Sequence, residues 1–430
     1  MHSRLIPYTV PQLEQNTPFI ILRDILRGDI KNGDSVKRLE TFFAEYVGTK
    51  YAISFASARA ALFYTYRFFF KCGQKIILPS YTCIPAIDSG RWEGLIPHFL
   101  DIDLNSYNPK FDERVRDVAD IGAISLSYLY GLIGELNPFI EYATKAGIPI
   151  IEDAAIALGG TYQGKKVGSI GDAAVFSLQE SKIITAWRGG IVTTNNKELY
   201  TFLMAIREKQ CFLPSPKLVF NLSFSFKRKL FSWPHIYGLT MYPLKKLMTT
   251  KKLAPFLGQI MNFNPLESID GRSPTLMPTT DQSRLSNIQA SVALESMKHV
   301  NIITRKRRNL ARMLSEELDG KAIFPEEHDG AKHAYGRFPI RIPGENKFKL
   351  YSYFLRRGIE TSVNYPYICP ETTFMTKYNF NAKNYPNASI ASQETILLPF
   401  HTALGEEDIN IIADAVRQYP KKRMTRCSRK

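Results

Sequence analysis

Between Tyr51 and Thr194, short β-branched and apolar runs alternate with longer segments whose apolar residues recur at helical spacing. Parallel neighbours need a long crossover, usually a helix, to return the chain, so this order predicts a mainly parallel sheet covered by helices. Strands are expected near IILPS (76–80), IPHFLDI (96–102), IGAISLSYL (121–129), IPIIED (148–153), AAVFSL (173–178) and IVTT (191–194). Helices should cover Ser57–Phe70, Asn137–Ala146 and Lys197–Lys209. Ser57 is a good N-cap, and a helix N-terminus at a strand end is a natural place for a phosphate group.

The rhythm breaks at 211–275, a stretch rich in Phe, Leu, Pro and Lys with neither period, which reads as an insertion. A strong helical pattern returns over Leu285–Leu318. From about Gly320 the elements FPIRI (338–342), a helix around Phe348–Arg357, ILLP (396–399) and GEEDINIIADAVRQY (405–419) suggest a small α+β unit. The expected organisation is a large domain over 1–318, a small C-terminal domain over 319–420 and a basic tail over 421–430.

The net charge of +16 is concentrated. Residues 211–266 hold Lys217, Lys227, Arg228, Lys229, Lys245, Lys246, Lys251 and Lys252 without an acid, and the tail adds a second basic run. No recognition motif for nucleic acid accompanies that charge, so none is expected as a partner. Two readings of the insertion stand: a peripheral contact with a membrane surface or a diphosphate, or an excursion packed on a partner subunit with its lysines in water. The five cysteines are scattered without a CxxC pair, which points away from a disulfide framework and toward a reducing cytoplasm. The N-terminus has no basic head followed by an apolar stretch, and no run of about 18 apolar residues occurs, so neither an export signal nor a spanning helix is expected. The seven histidines form no HxxxH or HExxH cluster, and no metal site is expected. GGTYQGKK (159–166) falls one residue short of a nucleotide-binding P-loop and reads as a hairpin.

Two residues carry chemistry. Lys182 closes VFSLQESK after the apolar AAVFSL strand, and Asp153 ends the IPIIED strand. A partly desolvated lysine can form an imine, and a carboxylate at a neighbouring strand end can keep a heterocyclic nitrogen protonated. That pairing suits pyridoxal phosphate.

The stretch IIEDAAIALGGTYQGKKVGSIGDAAVFSLQESKIITAWRGGIVTTN resembles the nucleotide-sugar aminotransferases of the DegT/DnrJ/StrS type, which are fold-type-I pyridoxal phosphate (PLP) enzymes. SFASARAAL, PSYTCIPAIDSGRWEGLIPHFLDIDLNSYN, RLSNIQASVAL and LLPFHTALGEEDINIIADAV extend the resemblance over nearly the whole chain, except the insertion and the tail. It implies that Lys182 is the Schiff-base lysine and Asp153 the partner of the pyridine nitrogen. It further implies that Ser177 and the backbone at Ala58 and Arg59 cradle the phosphate, with Arg59 adding charge, and that Ala155 packs on one face of the ring. Gln282 takes the place of an asparagine that reaches the phosphate from the neighbouring subunit, which implies a homodimer with sites between subunits.

Departures from the pattern bear on tuning of the ring. Cys83 stands where an aromatic residue stacks, and its polarizable thiol can cover the ring, with Tyr81 or Tyr128 as alternatives. Ile156 stands where Gln or His reaches the ring oxygen and cannot form a hydrogen bond. Tyr128 takes the place of a histidine. Trp187 and Arg188 would either line the same mouth or be a packed aromatic beside a solvated arginine. The implied reaction moves an amino group from a donor such as glutamate to a keto sugar nucleotide, feeding bacterial surface polysaccharide such as lipopolysaccharide. The alternative is a PLP-binding protein that does not transaminate and acts as a regulator or peripheral membrane component, an idea motivated by Ile156 and Cys83.

Overall fold

The computed structural model describes residues 5–211 and 275–420, so the expected insertion, apart from its two ends, and the basic tail lie outside the described residues. Helices α1 (Thr17–Leu26) and α2 (Ser35–Val47) lead into β1 (Tyr51–Phe55), α3 (Ala58–Phe69), β2 (Lys75–Pro79), α4 (Ile84–Arg91), β3 (Ile96–Leu100), β4 (Ile121–Ser127), α5 (Asn137–Ala146) and β5 (Ile150–Asp153). The hairpin β6 (Thr161–Tyr162) and β7 (Lys165–Lys166) follows, then β8 (Ala173–Ser177), β9 (Gly190–Thr194) and α6 (Lys197–Gln210). After the gap come α7 (Asn287–Lys298), α8 (Val300–Leu318), β10 (Ala331–Lys332), β11 (Phe338–Arg341), α9 (Lys347–Arg356), α10 (Pro386–Glu394), β12 (Thr395–Leu398) and α11 (Glu406–Arg417).

Seven strands form one sheet in the order β1-β9-β8-β5-β4-β2-β3. It is mixed and mostly parallel: β2, β3, β4, β5 and β8 pair in parallel, and β9 runs antiparallel to both β8 and β1. Alternate residues of each strand feed separate cores on the two faces. Ile77, Ile124, Ile150 and Phe176 enter one; Ile76, Ala123, Ile151 and Val175 enter the other. Burial on both faces is why these strands read as unbroken apolar runs. Phe176, 2% exposed and edge-on to Phe43, is a keystone whose truncation to alanine would cost about 3–5 kcal/mol.

The Leu285–Leu318 pattern is two helices rather than one, separated at His299. The start of α7 is a capping box: Ser286 Oγ accepts from the Gln289 backbone N–H at 3.3 Å, and Gln289 Oε1 accepts from the Ser286 N–H at 3.1 Å. A third core gathers β11, β12, α9, α11 and the later part of α8. The segment before β11 docks onto the main sheet's loops, with Ala334 N–H donating to Gly131 O (2.8 Å) and Arg337 N–H to Tyr130 O (2.9 Å). The approach is close enough that a Cβ on Gly336 would lie 2.2 Å from Ile156, and one on Gly131 would lie 2.5 Å from the Gly336 nitrogen.

Candidate active site

The carboxyl ends of β4, β5 and β8 open on a cavity of about 330 Å³. Asp153 ends β5 and lies in register with Ser127 of β4. Lys182 is in the turn after β8, where its N–H donates to Gln179 O at 3.0 Å. Both line the cavity, together with Cys83 at the N-cap of α4, Ala155, and Tyr8, Arg337, Asn364 and Tyr365 from the chain's two ends.

The loop carrying Lys182 is fixed from beneath. Gln289 of the α7 capping box donates through Nε2 to Arg188 O (2.7 Å) and Ala186 O (3.2 Å), so the RLSNIQ motif fastens the segment between the lysine and Gly189-Gly190. Asp153 is fixed by its neighbour. Glu152, fully buried, accepts from Tyr128 OH (2.8 Å) and from the backbone N–H groups of Gly168 (2.9 Å), Ile170 (2.9 Å) and Gly171 (2.8 Å). The VGSIG loop thus wraps one carboxylate, and β5 is pinned where Asp153 leaves it. Glu152 had no assigned part in the sequence reading, although an acid inside an apolar strand is a signal that it must be paired.

Burial sets the electrostatics. It pushes the Asp153 carboxyl up, opposed by the Ala155 N–H (3.2 Å), by the charge of Lys182 and by the Ser127 hydroxyl. It pushes the Lys182 amine down, and the Arg337 charge adds to that, while Cys83 and Asp153 oppose it. The Cys83 thiol is raised by burial, against Tyr365 and Lys182, and so stays uncharged at neutral pH.

The other site residues expected from the sequence gather next to the cavity rather than in its wall. Ala58 and Arg59 open α3, where Ser57 Oγ accepts from Ala60 N–H at 3.1 Å. Gly190 lies against them: a Cβ there would sit 2.5 Å from Ala58 N. Ser177 pairs with Gly190 across β8 and β9 and borders a small void behind Ala155 and Ile156. Gln282 caps the short 3-10 turn Thr279–Asp281, and its side chain donates to Met277 O at 3.2 Å. Asp281, which the sequence reading missed, is fully buried here. It accepts from Ser57 Oγ (2.7 Å) and Arg59 Nε (2.8 Å), and it pairs with Arg188. The spare charge expected of Arg59 is therefore committed to Asp281.

Trp187 takes the packed-aromatic alternative, against Leu13, Ile20, Ile21, Ile288 and Val292. Arg188 is held by Asp281 rather than being solvated or lining the mouth. Tyr81 is tied under the wall by Tyr130 OH (3.1 Å) and the Tyr365 backbone; Tyr128 lines the cavity with its hydroxyl tied to Glu152, and Tyr365 lies beside Cys83.

These walls suit PLP by their donor set: a burial-weakened amine, a carboxylate held ready across the same cavity, small or thiol side chains for the ring faces, and a tight backbone cradle at Gly190 and Ala58. The fold is shared with solved sugar aminotransferases. Helicobacter pylori PseC, an aminotransferase involved in the biosynthesis of pseudoaminic acid, superposes with a TM-score of 0.75 at 20% identity, covering 96% of this chain and 98% of that one. The family profile of the DegT/DnrJ/EryC1/StrS aminotransferases matches residues 17–229 and 271–417, and the chain belongs to that family of PLP-dependent sugar aminotransferases. Among relatives, a dTDP-3-amino-3,6-dideoxy-alpha-D-galactopyranose transaminase of Aneurinibacillus thermoaerophilus is 25% identical over 393 residues, 90% of each chain. A pleiotropic regulatory protein of Geobacillus stearothermophilus is 24% identical over 418 residues, 95% of this chain and 96% of the relative. Among the described residues no helix is long and apolar enough to cross a membrane, and no group of side chains could hold a metal ion.

Proposed function

We propose that this protein transfers an amino group by a two-stage exchange, from an amino acid donor, with glutamate the first to test, to a keto sugar linked to a nucleoside diphosphate, in the making of a bacterial surface polysaccharide. The observation that carries the proposal is Lys182, a desolvated amine, facing the same cavity as the buried carboxylate of Asp153.

When bound, PLP supplies an aldehyde and an electron-withdrawing ring that make the donor's Cα proton acidic. Lys182 Nζ would hold the cofactor and, when released, take the proton from Cα; its lowered basicity leaves more of the amine free for both tasks. Asp153 would hold a proton on the ring nitrogen. Cys83 and Ala155 would cover the two faces of the ring, and Ser177 with the N–H groups of Ala58 and Arg59 would take the phosphate, with Gln282 joining from a second subunit of a homodimer. Residues 1–318 would carry the cofactor, and 319–420 would close the cavity with Arg337, Asn364 and Tyr365. The apolar Ile156 in the cavity wall favours one competing reading, a PLP-binding regulator that does not transaminate. Adding glutamate to the yellow protein and then a panel of keto sugar nucleotides separates the two. Loss of the yellow absorbance with glutamate and its return with one sugar is expected; colour that ignores every amino donor would end the transaminase reading.

A further inference from the structure

Several arginines that are partly or fully withdrawn from water in the described structure have a carboxylate. Arg207 pairs with Glu40, Arg59 with Asp281, and Arg341 with Glu394 at 3.5 Å. Arg337 does not. It is 7% exposed and lines the cavity that holds Lys182, yet the groups its guanidinium meets are neutral: the Gly336 carbonyl (2.8 Å), the Tyr8 ring face (5.5 Å) and the Tyr8 hydroxyl. Its surroundings add positive charge. Arg307, 3% exposed, donates to Tyr335 O (3.0 Å) and Gly336 O (3.3 Å), again without a carboxylate among the described residues. His401 is kept neutral by its burial and by these arginines. The acids facing this wall are Asp153, which answers Lys182, and Glu360, which accepts the Tyr8 N–H at 3.1 Å. Nor can Arg337 swing away freely, because its backbone is bonded to Tyr130 and the preceding Gly336 is wedged against Ile156.

We propose that Arg337 is the carboxylate anchor of this site, its planar fork receiving a substrate carboxylate while the substrate's amine or carbonyl faces Lys182. The proposal rests on the transaminase reading. A buried cation without a counter-charge is costly, and a carboxylate that docks on two parallel N–H groups both removes the cost and fixes orientation. The carboxylate can come from the amino donor or from a carboxylated sugar; the experiment distinguishes them.

The PLP-loaded protein and its Arg337→Leu and Arg337→Lys variants would be titrated with glutamate, with n-butylamine, and with neutral and carboxylated keto sugar nucleotides, following the cofactor's absorbance. Maleate, which cannot transaminate, would be titrated by calorimetry. Retained absorbance and melting temperature show that a variant is folded, and the lysine variant keeps the charge if the leucine variant does not fold. The expected result is at least tenfold weaker glutamate and maleate binding in Arg337→Leu, a smaller loss in Arg337→Lys, and n-butylamine unchanged. Weakening of the carboxylated sugar alone would place the anchor on the acceptor. Carboxylate probes that bind both variants as they bind the parent would overturn the proposal. A parent protein that binds maleate through Arg337 but reacts with no donor would instead defeat the transaminase reading and leave the anchor standing.

Discussion

At the start of α3, Asp281 gathers Ser57, Arg59 and Arg188, and every charge has a partner. In the cavity, Asp153 is the carboxylate that answers Lys182, Glu360 accepts from the Tyr8 N–H, and neither forms an ion pair with Arg337 among the described contacts, while burial has made the lysine a weaker base. The first cluster has the features of a scaffold: its carboxylate is buried and bonds both guanidiniums directly, and these keep partial access to water. The second is left incomplete by the protein's own groups, and incompleteness in a low-dielectric wall is a request for a ligand. Removing residues from the two clusters should therefore have opposite consequences, loss of stability on one side and loss of chemistry on the other.

The largest effect is expected at Lys182. Lys182→Ala should abolish covalent cofactor attachment and slow turnover by about 10⁴-fold or more, at least about 5 kcal/mol of barrier, with the melting temperature little changed. A variant that instead unfolded would turn the open side into scaffold and break the contrast. Next, Asp153→Asn should retain some cofactor while cutting turnover by about 10³-fold, about 4 kcal/mol, in steady-state assays.

On the paired side, Asp281→Asn strands two guanidiniums that are about a quarter and a third exposed, 24% and 31%. Partial solvent access discounts the full penalty of breaking a buried pair, so urea denaturation should show a loss of about 2 kcal/mol. Arg188→Ala, which leaves Asp281 its other partners, should cost about 1 kcal/mol or less.

The last effect is one of pH and is nil at neutrality. His333 and His401 are held by burial at pKa values of about 4 and about 3. An unfolded histidine titrates near about 6.5, so below that pH the unfolded chain binds more protons and stability rises with pH. The contribution is complete above about pH 6.5 and is lost as pH falls, by about 1 kcal/mol per unit for each residue until its folded value is reached. His333 Nδ1 accepts from Ile133 N–H at 3.0 Å, a bond that protonation breaks. Because Arg337 contributes to the depression at His401, Arg337→Leu should make the acid limb shallower; an unchanged limb would show that burial alone sets it.

Much of the main sheet was legible because its strands are apolar on both faces and its helices keep their period. Lys182 and Asp153 were legible because each follows such a strand. The amphipathic repeat of Leu39, Phe43 and Val47 is an equally plain signal of α2. Arg337, Tyr365 and Asp281 were not legible. In the sequence they are a charge before a strand, an aromatic in a loop and an acid in a polar turn. Only long-range pairings, such as Arg337 N–H to Tyr130 O and Ser57 Oγ to Asp281, bring them to the site.

The central claim is that Lys182, and no other amine, carries the cofactor opposite Asp153. Reducing the PLP-loaded protein with borohydride, digesting it and locating the labelled peptide by mass spectrometry tests this directly. The account predicts a single phosphopyridoxyl group on Lys182; a label on another lysine, or none, would contradict it.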